Sequence, residues 1–488
     1  MDDQDNGGKF VIIGGGLVGC YLASRLVDEG NEVVLIELGG SNTEDSSQAT
    51  RALVPNFTTS VYKGALPDGR AFGLGGTSTI WGGAMIPPSR FEKHLSPGFD
   101  DSVQQAVLEK FGVHGHFYST QISENVDKRN VLWPSFTKKN ARRLIDTTSP
   151  NLKLLLNTQV LKLAHQDGRI IGLKLRKGDA EFDFDSSMYT VIMAAGMIES
   201  TRLLLASSVV KRDLGQSREQ AVLHSDHDST ETTFSDHISA PIATLTPLSE
   251  QYLNHLVKGR HWGFESVRYD YKFGELTGFL NIQFTRESSD PFYALRQLLL
   301  SLQSGVLGRD SLKHFLTIIK SFNWFFVFAW YFLRKGLVLP PPKSKIFINL
   351  VATKFEYGTI SFKDESINLD WEITDKDREY FLRAARSLLN EIALEFEGVF
   401  SIDRHTDSQI TEELGEDAEV FHPNGSFPFG FADAVVTEDL KLRGCDNMYL
   451  ISSGLFPNGG ISSPSFSLLC LAEKLVRSDR ICSSRARV

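Results

Sequence analysis

The 488-residue chain has four cysteines, Cys20, Cys445, Cys470 and Cys482, and their positions share no metal-ligand spacing. So few in so long a chain exclude a disulfide-built secreted scaffold and leave the four as core or surface thiols. Long blocks of like charge are also missing. Fifty-one lysines and arginines stand against 60 aspartates and glutamates, for a net charge of −9, so there is no basic stripe for nucleic acid. The first ten residues carry three aspartates and no apolar run, unlike a secretory signal, and the chain is expected in the cytoplasm. No internal repeat or low-complexity tract is visible. With 41% hydrophobic and 23% charged residues, a disordered, collagen-like or coiled-coil protein is excluded as well. Two residues are abundant instead: 40 glycines, and 34 phenylalanines among 52 aromatic residues.

The glycines begin to explain themselves near the N-terminus. Residues 9–13 form an apolar run, 14–19 a glycine turn, and 17–29 a helix whose Tyr21, Leu22, Leu26 and Val27 can face a sheet. Gly30 closes that helix and residues 32–37 give a second strand. Gly14, Gly16 and Gly19 therefore stand as G-x-G-x-x-G between a strand and a helix, with Glu37 ending the next strand. This context suits dinucleotide binding: glycines let a pyrophosphate approach the helix N-terminus, and the carboxylate accepts from ribose hydroxyls. An acid at that place favours a free ribose hydroxyl over NADP, and leaves FAD and NAD open.

Farther on, residues 151–175 alternate as a hairpin-type meander, and 189–194 read as a buried strand. A polar stretch at 217–237 leads into a second, mostly antiparallel domain, with strands expected near 238–245, 278–284, 345–352 and 358–362. Thr374 and Asp377 form a capping box for a helix that Gly398 closes. His224, His227 and His237, with Asp226 and Asp236, lie in the polar connector without the spacing of a metal site, so no metal is expected.

Four segments decide between the cofactors. The N-terminal glycine turn, GGTSTIWGG at 75–83, AAGMIESTRLLLASS at 194–208 and LFPNGGISSPSFSLLCLAEKL at 455–475 occur in the order seen in the glucose-methanol-choline (GMC) oxidoreductases, and the chain resembles that family. The resemblance implies an α/β fold: a discontinuous Rossmann-like FAD domain from 1–90, 150–235 and 420–488, with an inserted α+β substrate domain, built on an antiparallel sheet, from 91–149 and 236–419. It implies FAD held by Gly14, Gly16, Gly19, Glu37, Gly75, Gly76, Thr77, Ser78, Trp81, Gly82, Val160, Ala195, Gly196, Ser453 and Pro464. Where sugar-oxidising relatives carry a histidine tethered to FAD, this chain has Ile80, so non-covalent FAD is expected. The reacting histidine of the family matches His422 in His422-Pro423-Asn424-Gly425-Ser426. An imidazole suits this work, because it can accept a hydroxyl proton near neutrality while hydride leaves the carbinol carbon.

The chain departs from the family at a second catalytic position. A histidine or asparagine is usual there, and Ser463-Pro464-Ser465 stands in its place. Ser463 and Pro464 still make a sound helix start, but serine has a shorter reach. Three outcomes are open: His422 acting with a water held by Ser463, a partner from another segment, or non-oxidative flavin chemistry such as a lyase or decarboxylase. The first two are preferred. A flavin-binding scaffold without catalysis is a further alternative. The expected substrate is a sugar-like, cyclitol or amphiphilic, lipid-linked alcohol, and the acceptor, oxygen or another, is left open.

Part of the phenylalanine excess falls in a helical insertion at 291–336. Residues 315–333 read FLTIIKSFNWFFVFAWYFL, and Lys320 and Asn323 interrupt them, so a transmembrane span is not expected. Aromatic residues beside lysines fit a helix lying in a membrane interface. Packing on the substrate domain or a partner subunit, as a lid, fits as well.

Overall fold

The computed structural model describes residues 7–42, 57–59, 70–95, 99–135, 138–207, 224–226, 229–255, 257–260, 263–284, 291–304, 308–340, 345–353, 357–363, 366–416, 422–429, 434–461 and 464–478. Among them run helices α1 (Leu17–Asp28), α2 (Asp101–Lys110), α3 (Gly196–Ala206), α4 (Pro291–Ser304), α5 (Arg309–Lys320), α6 (Phe322–Lys335), α7 (Asp375–Phe396), α8 (Asp407–Glu416) and α9 (Pro464–Arg477). The fold is mixed α/β.

Short, almost wholly apolar strands such as KFVII and EVVLI have no polar face to turn to water, so they pair in parallel and are covered on both sides. Five of them form one sheet in the order Met448–Leu450, Thr190–Met193, Lys9–Ile13, Glu32–Ile36, Leu152–Leu155, with every neighbour parallel. Phe10, Val11 and Ile12 at its centre are fully buried. Helix α1 packs against α9, and a buried carboxylate ties them: Glu473 accepts from Tyr21 Oη at 2.8 Å, Arg25 Nε at 2.9 Å and Arg477 Nε at 2.7 Å.

Strands with one apolar face build the other body. Its eight-stranded sheet runs Phe400–Arg404, His237–Pro247, Ile346–Thr353, Leu276–Phe284, Gly263–Phe273, Val126–Pro134, Ser119–Gln121, with Lys258–Arg260 attached to Gly263–Phe273. Helix α7 brings Phe381, Leu388 and Ile392 into the same hydrophobic cluster, and the Thr374 capping box forms, Thr374 Oγ1 accepting from Asp377 N.

Several sequence expectations are corrected here. The run 152–155 is no part of a meander: it is the edge strand of the parallel sheet, and Asn157, at φ 53°, turns the chain into a separate three-stranded sheet of Gln159–Gln166, Arg169–Lys177 and Ala180–Asp185. Alternation marks a strand without naming its partner. Gly358–Lys363 joins a different sheet, between Ser229–Phe234 and Ser366–Asp370. Helix α2, from the stretch assigned to the substrate domain, packs on α9, and its Val103, Val107 and Leu108 belong to the hydrophobic cluster of the parallel sheet.

The insertion leaves and re-enters between the adjacent strands Leu276–Phe284 and Ile346–Thr353 as three helices, α4 to α6. Helix α4 packs on α5 and against the Gly76–Thr79 turn. Gly336, at φ 64°, ends α6 in the left-handed region.

Candidate active site

Parallel strands leave their C-terminal ends at one edge, where the following turns open a crevice. A cavity partly open to solvent lies there. Its walls come from all four sequence segments: Gly14, Gly16, Glu37, Gly76, Thr77, Ser78, Trp81, Val160, Ala195, Gly196, His422, Ser453 and Pro464 all line it. Gly19, Gly75 and Gly82 do not, and Ser463 lies outside the described residues.

The non-lining glycines act behind the wall. A Cβ on Gly19 would meet the Gly14 carbonyl oxygen at 1.8 Å, so this glycine seats α1 on its strand. Gly75 N donates to Gly15 O at 2.8 Å and docks the second glycine cluster on the first. There Gly76, at φ 49°, approaches so closely that a Cβ would lie 2.8 Å from Gly16 Cα. The stretch 64–88 is rich in glycine, proline and threonine, a composition that normally means an exposed loop, yet its cluster at 75–83 is pinned further by Ser78 Oγ, which donates to Gly75 O and accepts from Ala141 N, and by Trp81 Nε1, which donates to Lys139 O at 3.0 Å.

The cavity floor is electropositive by backbone alone. Three helix N-termini open onto it: α1 through Gly16, α3 through Ala195 and α9 through Pro464. Neither α1 nor α3 has a side-chain cap, so their first N–H groups are available to a ligand. Among the described residues nothing lies within 4 Å of where a Gly16 side chain would begin. An uncapped helix start with open space above it fits a diphosphate.

Glu37 does more than its sequence position suggests. Its Oε2 accepts from Gly15 N at 2.7 Å, and its Oε1 from Gly39 N at 2.8 Å and Gly73 N at 2.9 Å. One carboxylate thus ties together the backbone of three glycine segments. Burial pushes its pKa up, against the three N–H donors that lower it. Sequence reading also missed Arg70, Glu199 and Arg202 in the wall. Glu199 accepts from Arg70 Nη2 at 3.0 Å and Arg202 Nε at 2.8 Å. Burial would raise its pKa, yet the two guanidiniums hold the carboxyl below its usual range.

At the other end, His422 N donates to both oxygens of the buried Asp236 carboxylate, at 2.9 and 3.1 Å. Asp236 Oδ1 also accepts from His237 N at 2.7 Å. The two imidazoles meet edge to face with centroids 5.4 Å apart. This corrects the reading of His237 as part of a polar connector: it begins the strand His237–Pro247, is 1% exposed, and stands beside His422. No pattern local to residue 237 announces this, because the pairing is made through Asp236 across 185 positions of sequence.

His237 Nε2 lies 2.7 Å from Gly460 O, which can only accept, so Nε2 carries the proton. A Cβ on Gly459 would strike the ring at 2.3 Å, so the Gly459-Gly460 pair ahead of α9 is shaped to the histidine. Ile461 is held from both sides, its N donating to Glu92 Oε1 and its O accepting from Arg268 Nη2 at 2.6 Å. The turn in front of α9 is therefore set by His237, Glu92 and Arg268 together. Among the described residues no group of three or more His, Cys, Asp or Glu could hold a metal ion.

Both histidines are neutral. Burial pushes His237 down to about 4, with Arg268 adding to the effect against the raising hydrogen bond to Gly460, and burial, His237 and Arg268 push His422 down to about 3. Unfolded histidines take up a proton near ~6.5, so between that pH and about 4 the unfolded chain binds more protons and folding stability falls as pH drops. Each histidine contributes up to about 1.4 kcal/mol per pH unit in that window. A thermal melt series from about pH 7 to pH 5 should show a shallower acid loss in His237→Gln than in the wild type; parallel slopes would remove the linkage.

Known proteins share this fold. Residues 358–472 match the GMC oxidoreductase family. An oxygen-dependent choline dehydrogenase of Vibrio vulnificus (strain YJ016) is 22% identical over 558 residues, covering 96% of this chain and 94% of its own. A crystal structure of pyridoxine 4-oxidase from Mesorbium loti has a similar fold, with TM-score 0.57 and 16% identity over 96% of this chain and 98% of that one. An FAD-dependent oxidoreductase from Chaetomium thermophilum gives TM-score 0.55 at 14% identity, covering 97% and 98%. The C-terminal match, the near full-length relative and the shared fold make the chain similar to the GMC oxidoreductases.

Proposed function

We propose that the protein binds FAD without a covalent link and oxidises an alcohol, with His422 taking the hydroxyl proton. The observation that carries this reading is the single cavity in which uncapped helix N-termini, the Glu37 carboxylate and His422 meet. A diphosphate would be held at Gly16 and the start of α1, and ribose hydroxyls by Glu37, which has lone pairs left beyond its three backbone bonds. When bound, the flavin supplies the two-electron acceptor for the hydride leaving the carbinol carbon. His422 receives the proton as the carbon–oxygen double bond forms, and its neutral state leaves a ring lone pair for it. His237 is a positioning residue: with Asp236 it holds the His422 backbone and the turn before α9.

The match to the GMC oxidoreductases and the class of the similar proteins support alcohol oxidation in general; the substrate, sugar-like, cyclitol or amphiphilic, belongs to the proposal. The test is anaerobic mixing of purified yellow protein with a panel of such alcohols. Bleaching of the flavin band supports oxidation, and turnover without bleaching points to non-oxidative chemistry. Because Ile80 has no nucleophilic atom, acid precipitation is expected to release all of the flavin to the supernatant. Colour retained in the pellet would contradict non-covalent binding.

A further inference from the structure

Among its described residues the insertion hides few apolar side chains. On α5, Leu312, Phe315, Leu316 and Ile319 recur at i, i+3, i+4 and i+7, the spacing of a helix face meant for burial, yet they are 61, 48, 48 and 50% exposed. On α6 the same holds for Phe322, Phe326, Trp330 and Leu333, at 56, 60, 59 and 81%. The opposite side of α6 turns Trp324 inward, at 7% exposure, so this helix is anchored to the protein by one face and leaves the other uncovered. An uncovered apolar surface on two consecutive helices exceeds the scattered apolar residues of an ordinary surface.

We propose that α5 and α6 dock the protein on an anionic lipid bilayer, lying in its interface without crossing it. Charge selects this occupant. The protein carries −9 overall, but residues 291–336 hold six arginines and lysines against one aspartate. The cations border the apolar stripes: Lys320 ends α5, and the Arg334 guanidinium lies 4.8 Å from the centroid of the Trp330 ring at the end of α6. Long cationic side chains at such borders reach lipid headgroups while rings enter the acyl boundary. A second copy of the same cationic face would meet repulsion. Among the described residues no single helix is long and apolar enough to cross a bilayer. The pair Arg309–Lys320 and Phe322–Arg334 is bent by 85°. Two helices meeting at that angle can both lie in one surface plane, and they cannot pass through it as one rod.

The experiment is sedimentation of the flavin-loaded protein with phosphatidylcholine vesicles made with and without phosphatidylglycerol. The wild type is expected in the pellet with the anionic vesicles, and less so as salt rises. Phe326→Ser with Trp330→Ser should weaken partitioning by about tenfold or more, and Lys320→Glu with Arg334→Glu should abolish the preference for anionic lipid. All four side chains are exposed, and unchanged melting temperatures verify that the variants fold. Equal recovery of wild type and aromatic variant overturns the proposal, as does a wild type left in the supernatant. It is equally overturned if the vesicle-free protein is a dimer that the aromatic substitutions convert to monomer, because a second copy then covers the face.

Discussion

Exchange of His422 for glutamine is expected to slow anaerobic flavin bleaching by about 10²- to 10⁴-fold, the usual worth of a positioned base, while leaving the protein yellow. Only the ring is altered: the backbone N–H that meets Asp236 is retained. The pH profile is the more searching part. A histidine of ordinary pKa would make the rate fall on acidification near ~6.5. Here burial, His237 and Arg268 hold His422 near 3, so the base form persists on acidification and kcat/KM should stay flat from about pH 8 to pH 5. In His237→Gln one of the lowering influences is gone, and any acid limb should move upward. A wild-type limb centred near 6.5 would show that another group takes the proton.

Glu37→Ala should yield a colourless protein. Gly15, Gly39 and Gly73 each lose a buried acceptor, at about 1–3 kcal/mol apiece where water does not replace it, and the ribose loses its acceptor too. The expected readout is flavin content after purification, with a lowered melting temperature that added FAD fails to restore. A variant that purifies with a full complement of FAD would refute the assignment. Glu37→Gln should fall between, since an amide oxygen replaces one acceptor and its NH2 group opposes the remaining donors.

The sequence is most legible where chemistry is local. A strand, three glycines, a helix and an acid lie within thirty residues, and their roles follow from backbone geometry alone. Glu37 is half legible: its place at the strand end carries the proposed ribose contact, while its bond to Gly73 depends on a loop returning from 36 positions away. His237 is illegible, because a histidine beside an aspartate in a polar stretch has no periodicity, and only the approach of residue 422 gives it meaning. Helix α6 is illegible in another way. FNWFFVFAWYFL is apolar on every side but for Asn323, so the pattern cannot say that Trp324 faces the protein and Trp330 the solvent.

The clasp between α1 and α9 bears on how the protein is made. Arg25 waits for Glu473 across 448 residues, and until that carboxylate arrives α1 lacks its buried ion partner and the part of its packing surface that α9 supplies. At a ribosomal pace of ~5–20 residues per second, the N-terminal strand–helix–strand unit stays without this closing helix for roughly 20–90 s of synthesis. During that interval a buried-to-be apolar sheet and a half-formed cofactor crevice are presented to the cell. The oldest part of the nascent chain is thus among the last to become native, and a translation-coupled chaperone, or flavin itself, has its longest opportunity there.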